Sequence, residues 1–299
     1  MIRKKNILFI INPKSGKGAG AKIADAIPSL VNKNGFDYQI EITKVALHGH
    51  TLAQEAIENK IDYVMACGGD GTVNEVASAL VRSNCCMGII PLGSGNGLAR
   101  HLKIPFDIKN NLKLLQTGKI IKADSMLVNN KFSINVSGAG FDAHVAALFA
   151  NTKGRGFLNY VKLVLLQYKN YKPFKAKLNI DGNNFERDLF LIAFANSAQF
   201  GNNFKISPAA LVTDEWIDVS MVAKPSVLQT LQLAWGAYNG TISNHKKVEI
   251  IKAKKIEMLF ETKIPIHIDG EPGGESDKIN VTIQPATNYI LVPHTNYDL

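Results

Sequence analysis

The sequence predicts two domains of different class: an α/β domain with a mostly parallel sheet over residues 1–128, and an all-β, sandwich-like domain over residues 129–285. Three observations carry this. In the first part, short apolar runs alternate with stretches of helical spacing, the order expected of strand–helix–strand units in a parallel sheet. From Ala123 onwards, strand-like runs follow one another, separated by turn signals such as Asn129-Asn130 and Asp181-Gly182-Asn183. The length of 299 residues also exceeds the ~100–150 usual for one core.

In chain order, Asn6–Ile11 is an apolar strand, followed by a Gly/Lys/Ser loop over Asn12–Gly20 and a helix over Ala21–Lys33 with Ile23, Ile27 and Leu30 on one face. Asp37–Thr43 reads as a strand, Leu52–Asn59 as a helix and Tyr63–Cys67 as a short buried strand. Thr72–Arg82 has Val73, Val76, Ala77 and Leu80 at helical spacing, and Met87–Pro91 is the next strand. The second part offers strands at Ser125–Val128, Phe132–Val136, Lys175–Ile180, Phe185–Asn196, Asp218–Val222, Val248–Ile251, Lys255–Phe260, Ile264–Ile268 and Ile279–Ile283, with full helices only at Gly156–Tyr171 and Ser226–Tyr238. A last run, Asn288–Pro293, follows Pro285 and fits either domain.

Apolar residues make up 46% and charged residues 20%, the balance of a folded protein. No apolar run reaches the ~18–20 residues that span a bilayer, and the start lacks a signal-peptide core. Cys67, Cys85 and Cys86 have neither disulfide nor metal spacing and read as small buried thiols in a reducing cytoplasm. His48, His50 and His144 make no metal motif and read as surface or capping residues. The net charge of +9 suits nucleic acid, anionic lipid or phosphate-bearing substrates alike, but no nucleic-acid recognition motif is present. Between Ala143 and Ile180 there is no Asp or Glu, while Lys153, Arg155, Lys162, Lys169, Lys172, Lys175 and Lys177 interleave with aromatics. The helix Gly156–Tyr171 therefore reads either as a core helix or as an interfacial helix with basic flanks facing anionic lipid.

Three glycine-rich loops leave apolar strands. Asn12-Pro13-Lys14-Ser15-Gly16-Lys17-Gly18 is not a P-loop, because Ala21-Lys22-Ile23 stands where Gly-Lys-Ser/Thr would be needed. Its amides, lysines and following helix start still suit a phosphate, as they suit an ordinary basic turn. Gly68-Gly69-Asp70-Gly71-Thr72 lets the backbone approach a ligand closely, and Asp70 then stands where its charge would repel phosphate unless Mg²⁺ bridged the two. The bland alternative is a tight turn with Asp70 or Thr72 capping the next helix. In Pro91-Leu92-Gly93-Ser94-Gly95-Asn96-Gly97-Leu98-Ala99-Arg100, Ser94 and Asn96 offer hydrogen bonds to a ribose, phosphate or hydroxyl.

Gly-Gly-Asp-Gly-Thr followed by Asn74-Glu75, then Pro91–Arg100, resembles the diacylglycerol kinase catalytic superfamily, which includes bacterial diacylglycerol kinases and sphingosine and ceramide kinases. The resemblance extends through Asn12-Pro13-x-Ser15-Gly16, Gly138-Ala139-Gly140-Phe141-Asp142, Ala210-Leu211 to Asp218, and Asp269-Gly270-Glu271, and so covers nearly the whole chain. Gly-Gly-Asp-Gly-Thr alone is shared with NAD kinases and echoed in phosphofructokinases. The resemblance implies an NAD kinase/phosphofructokinase-like first domain to which the last strand, about 286–299, returns, and ATP bound between the domains. It assigns nucleotide contacts to Asn12, Ser15, Gly16, Thr43, Gly68–Thr72 and Ser94. Pro13, Asn74, Glu75, Gly93 and Asn96 join this set as neighbours in the same motifs. It implies a structural Mg²⁺ in the second domain, held by Asp214 and main-chain oxygens near Leu211 and Trp216. Glu215 stands where the family often carries glycine; from the residues alone, Asp214, Glu215 and Asp218 are either an oxygen-rich cation cluster or a solvated acidic turn.

The expected chemistry is transfer of the γ-phosphate of ATP to a lipid hydroxyl, diacylglycerol-like or sphingoid-like, at a membrane surface. Asp70 would hold Mg²⁺, and Asp269 or Glu271 would accept the hydroxyl proton. Asp-Gly is also a plain hairpin turn, and Phe141-Asp142 fits an acceptor site or a packed turn. The rival readings are a soluble NAD kinase-type enzyme and a non-catalytic lipid or nucleotide sensor. The expected setting is cytoplasmic with peripheral membrane contact, and a homodimer is left open.

Overall fold

The computed structural model describes residues 3–31, 35–150 and 157–294. In chain order the elements are β1 (Lys5–Ile11), α1 (Ala19–Leu30), β2 (Phe36–Ile42), α2 (His48–Glu58), β3 (Tyr63–Gly68), α3 (Asp70–Ala79), β4 (Cys86–Pro91), α4 (Gly97–His101) and α5 (Ile108–Thr117). There follow β5 (Lys119–Val128), β6 (Lys131–Ser133), β7 (Val136–Gly140), α6 (Phe141–Ala150), α7 (Phe157–Tyr168), β8 (Phe174–Ile180), β9 (Asn183–Leu189), β10 (Leu191–Ala195), β11 (Gln199–Gly201) and β12 (Phe204–Lys205). The chain continues through β13 (Ile217–Val222), α8 (Val227–Asn239), β14 (Val248–Ala253), β15 (Lys255–Ile268) and β16 (Glu271–Val292). It divides into two units, one reaching Ala123 and taking in the segment from Ala286, the other spanning Asp124–Pro285.

The first unit is built on parallel strands in the order β2-β1-β3-β4, with the far end of β16 beside β4. Every residue of β3 and β4 is buried, as befits strands covered on both faces, which is why these segments are unbroken apolar runs. The helix after β3 starts at Asp70, two residues before the sequence expectation, because Gly69 is still extended and supplies the N-cap. Val73, Val76, Ala77 and Leu80 are buried as their spacing predicts.

The second unit carries antiparallel strands in the order β14-β13-β10-β7-β15-β16, with β8 on β15 and β9 on β8. Their inward residues, among them Phe194, Val219, Ile256 and Ile279, form its main core together with Met126 of β5. A smaller cluster of Phe141, Val145, Tyr168 and Phe190 joins α6 to α7. Leu163 and Val164 of α7 pack on that cluster, as a core helix would, while Leu166 is exposed; Lys153, Arg155 and Gly156 lie outside the described residues.

Four expectations need correction. The run Phe185–Asn196 is not one strand but two, β9 and β10, which part at Phe190 because β9 pairs with β8 while β10 pairs with β7 and β13. Phe141-Asp142 is not a turn but the start of α6, because Gly140 at φ 104 swings the chain out of β7. The runs at 255–260 and 264–268 are one strand, with a register shift between Leu259 and Ile264. Pro285 does not separate the last two runs either. A single strand continues past it, and the left-handed Ala286, at φ 50, absorbs the irregularity.

Candidate active site

The first unit gathers the three glycine loops at the carboxyl ends of neighbouring strands β1, β3 and β4, where parallel sheets bind ligands. Contact between them is backbone to backbone. A Cβ on Gly93 would lie 2.7 Å from Gly69 Cα, and one on Gly16, at φ 60, would lie 2.6 Å from the Leu92 carbonyl oxygen. These glycines are required by close approach, so the three loops form one surface of main-chain groups. Asn12 links the first two: its amide donates to the Cys67 carbonyl at 3.0 Å and its Nδ2 donates to Thr72 Oγ1 at 3.2 Å. Its Oδ1 accepts the Lys14 amide, which shapes the turn through Pro13 towards Ser15 and Gly16. Thr43, just beyond β2, is tied to β1 by its amide on the Ile11 carbonyl at 2.9 Å.

Asp70 is held by the third loop. Its Oδ2 accepts the Asn96 amide and its Oδ1 the Gly97 amide, each at 2.7 Å, at the start of α4. A helix N-terminus welcomes a carboxylate, so these bonds answer the Asp70 charge in large part without a metal. Asn96, left-handed at φ 51, turns its amide side chain back on Gly93, accepting from its N–H at 2.9 Å and donating to its carbonyl at 2.5 Å. Ser94 stays exposed at the crest. Glu75 points elsewhere: its two oxygens accept the Leu47 and Gly49 amides at 2.9 and 3.0 Å and so cap α2, which has no cap of its own. Thr72 is buried and Gly71 and Asn74 are half-buried on the same short stretch of α3.

In the second unit, Asp269 and Gly270 are the two central residues of a tight hairpin, with Ile268 paired to Glu271. Both have positive φ, 47 and 86, the conformation for which Asp-Gly is suited. The two acids then part. Asp269 is buried, and its carboxylate accepts Ser133 Oγ at 2.5 Å, the Ile134 amide at 2.9 Å and the Asn135 amide at 3.0 Å, while its own amide donates to Ser137 Oγ at 3.2 Å. Glu271, two residues on, is exposed.

Sequence reasoning passed over His267. This buried imidazole stands two residues before the hairpin, with Nε2 3.1 Å from Asp142 Oδ2 and Nδ1 accepting the Gly270 amide at 3.2 Å. An N–H can only donate, so Nδ1 is unprotonated and Nε2 carries the hydrogen towards Asp142. Gly138 makes room for this pair, since a Cβ there would lie 2.9 Å from both partner atoms. The alternation of β15 buries Ile264 and Ile266 and would put His267 on the other face; it is buried too, at a register shift after Ile266, and its partner lies 125 residues away, so no local signal reveals it.

The acidic turn at Asp214 is arranged around lysines. Lys252 Nζ lies 2.5 Å from Asp214 Oδ2, and the Trp216 amide donates to Asp214 Oδ1 at 3.1 Å. The attraction of Asp214 holds the Lys252 ammonium above the usual lysine range. Lys254 Nζ sits 3.8 Å from Glu215 and 4.8 Å from the centre of the Trp216 ring. Glu215 keeps the left-handed conformation of the glycine it stands for, at φ 63, with its amide on Asp124 Oδ2 at 2.8 Å. Asp218 is buried and accepts Ser207 Oγ; desolvation pushes its carboxyl above the ordinary range. The turn geometry therefore survives Glu215, but the residues do not fit a divalent cation on Asp214, because an ammonium already fills that side of the carboxylate. Among the described residues no three His, Cys, Asp or Glu side chains converge as a metal group.

The histidines outside this site are local. His48 accepts the Lys44 amide, His50 meets Ser78 and His144 meets Gln167. The three cysteines are free and buried.

Comparison with known proteins follows the same two units. Residues 6–128 match the diacylglycerol kinase catalytic domain and residues 135–292 match the YegS C-terminal NAD kinase beta sandwich-like domain. The chain is 28% identical over 294 residues to a Pectobacterium atrosepticum protein named "Probable lipid kinase YegS-like", covering 96% of this chain and 95% of that one. It is 27% identical over 280 residues to the diacylglycerol kinase of Bacillus subtilis (strain 168), covering 90% and 91%. The crystal structure of a diacylglycerol kinase from Bacillus anthracis str. Sterne superposes with a TM-score of 0.74 at 20% identity, over 98% of each chain, which speaks for the fold.

Proposed function

The chain belongs to the diacylglycerol kinase catalytic-domain family, and from that premise we propose that it is a lipid kinase moving the γ-phosphate of ATP to the hydroxyl of a diacylglycerol-like lipid. The observation that carries this reading is the backbone contact of Gly16, Gly69 and Gly93 with the neighbouring loop, which turns three separate loops into one field of amide donors suited to a polyphosphate.

Each residue then has a task. The amides of the 12–18, 68–72 and 93–97 loops other than those of Asn12, Lys14, Ser15, Gly93, Asn96 and Gly97, which are already engaged, hold the phosphates, with Thr72 and Asn12 fixing the spacing of the first two loops. Asp70 locks the third loop on to the second. The Asp70 carboxylate is an oxygen donor of the kind Mg²⁺ takes and would hold that ion directly or through water. That ion would neutralise charge on the transferring phosphoryl group.

Of the two acids at the hairpin, Glu271 is the base. The hydroxyl oxygen of the lipid forms the new bond to the γ-phosphorus, the bond from phosphorus to the departing ADP oxygen breaks, and the hydroxyl proton passes to Glu271. Asp269 is the brace that sets the hairpin, and His267, donating to Asp142 and accepting from Gly270, positions it from behind.

The test is purified protein with labelled ATP and a panel of diacylglycerol, phosphatidylglycerol, monoacylglycerol, sphingoid base, ceramide and NAD. Labelled phosphatidic acid is the expected product. Label in NAD alone would replace the reading with a soluble kinase, and label in nothing would leave a binding protein.

A further inference from the structure

Helix α8 turns the wrong face to water. Its start is secured by a capping box, with Ser226 accepting the Gln229 amide and Gln229 accepting the Ser226 amide. Its inner side is small and close-packed. Gly236 and Ala237 are buried, and a Cβ on Gly236 would lie 3.1 Å from Ile242 Cα. Leu233 packs on the cluster of Val136, Ala193, Ile206 and Val222. The outer side holds Val227, Leu228, Leu231, Trp235 and Tyr238, with exposures between 53% and 67%. At ~100° per residue these five fall within one arc of roughly 100°. Exposed apolar residues scattered singly need no explanation, but a contiguous set on one helix face does.

The charge around the helix points to its occupant. From Ala223 to Val248 there is no Asp or Glu, while Lys224, Lys246 and Lys247 flank the helix. Lys224 is engaged inside the unit, donating to the Tyr171 carbonyl at 2.6 Å, whereas Lys246 is exposed. The nearest acid beyond, Glu249, is paired with Arg187 at 3.1 Å. An apolar helix face with Trp and Tyr in it and uncompensated lysine beside it is complementary to the headgroup layer of an anionic bilayer.

We propose that α8 is the element by which this protein docks on an anionic membrane surface, with Trp235 and Leu231 entering the boundary between headgroups and acyl chains. The choice of a membrane as occupant rests on the lipid-kinase reading; the measurement does not, because it uses neither ATP nor a kinase substrate. Trp216→Phe leaves Trp235 as the only tryptophan of the two in the chain. With vesicles of phosphatidylcholine and phosphatidylglycerol, Trp235 emission shifts to the blue and is quenched by brominated acyl chains, and the protein floats with the vesicles. With phosphatidylcholine alone, binding is at least tenfold weaker. The double variant Leu228→Glu, Leu231→Glu loses vesicle binding at least tenfold while keeping its thermal midpoint and its turnover on a water-dispersed short-chain acceptor. Vesicle binding unchanged in that variant, or no binding by the parent, overturns the proposal. So does a concentration-dependent dimer in light scattering that the variant abolishes, since a second copy would then be what covers α8.

Discussion

Asp70 and Asp269 stand in unrelated surroundings, one at the first turn of a helix behind a parallel strand, the other at the crest of an antiparallel hairpin. Both direct their carboxylate at backbone amides of a different loop: Asn96 and Gly97 for the first, Ile134 and Asn135 for the second. They differ in depth. Asp269 is buried and held by three donors, whereas Asp70 is half-buried and held at a loop rim. The residue that a motif presents first is thus the clamp in both places. In the hairpin the clamp sets free its neighbour, Glu271; in the glycine loop the neighbours of Asp70 are Gly69 and Gly71, which carry no charge.

The sharpest test of this contrast separates Glu271 from Asp269. Glu271→Gln is expected to lower turnover by about 10²–10⁴-fold with an unchanged thermal midpoint, because an exposed side chain supports nothing. Asp269→Asn is expected to lower turnover and stability together, by about 1–3 kcal/mol, since an amide cannot accept from three donors as the carboxylate does. Paired turnover and melting measurements check this, and the reverse pattern would exchange the two roles.

A smaller effect tests the glycine field. In Gly93→Ala the added methyl meets the backbone of Gly69 and the loops must part. ATP affinity, read by calorimetry, should fall about tenfold, or ~1.4 kcal/mol, with the second unit unaffected. If affinity is retained, backbone contact between these loops is not what builds the site.

Much of this was legible before any coordinates. Buried parallel strands announce themselves as unbroken apolar runs, and glycine loops behind them are few, so the first unit and its three loops could be placed from Val64, Ile89 and Gly93 and their neighbours alone. What was hidden lies between residues far apart in sequence. That Glu75 caps α2, that Asp269 clamps residues 134–135, and that Lys252 answers Asp214 are all pairings no periodicity encodes. The acidic turn looked like a cation site because its counter-charge sits on the neighbouring strand β14, where the register sets Lys252 opposite Asp218.

That pairing gives a milder prediction. Lys252→Met leaves Asp214 without its ammonium, and the loss for so partly exposed a pair is about 1 kcal/mol, or ~2–4 °C in the melting midpoint. Millimolar Mg²⁺ should recover part of it in the variant and leave the parent unchanged; a parent stabilised by Mg²⁺ without nucleotide would restore the cation site. The least effect is expected at the cysteines. Burial pushes the Cys85 and Cys86 thiols up to about 12, so at pH 8 labelling of the native protein by a disulfide reagent should be orders of magnitude slower than in denaturant.

The length of β16 also governs how the protein can be made. Beyond Ala286 this strand lies parallel to β4, with Tyr289 opposite Cys86, Thr287 taking the Arg82 amide and Asn288 bonded to the Ala77 carbonyl. The flank of β4 is therefore closed by residues that leave the ribosome roughly 200 positions later, about 10–40 s at ordinary rates of synthesis. Until then the emerging sheet offers an unpaired edge, and the first unit, although its translation begins first, is the unit completed last.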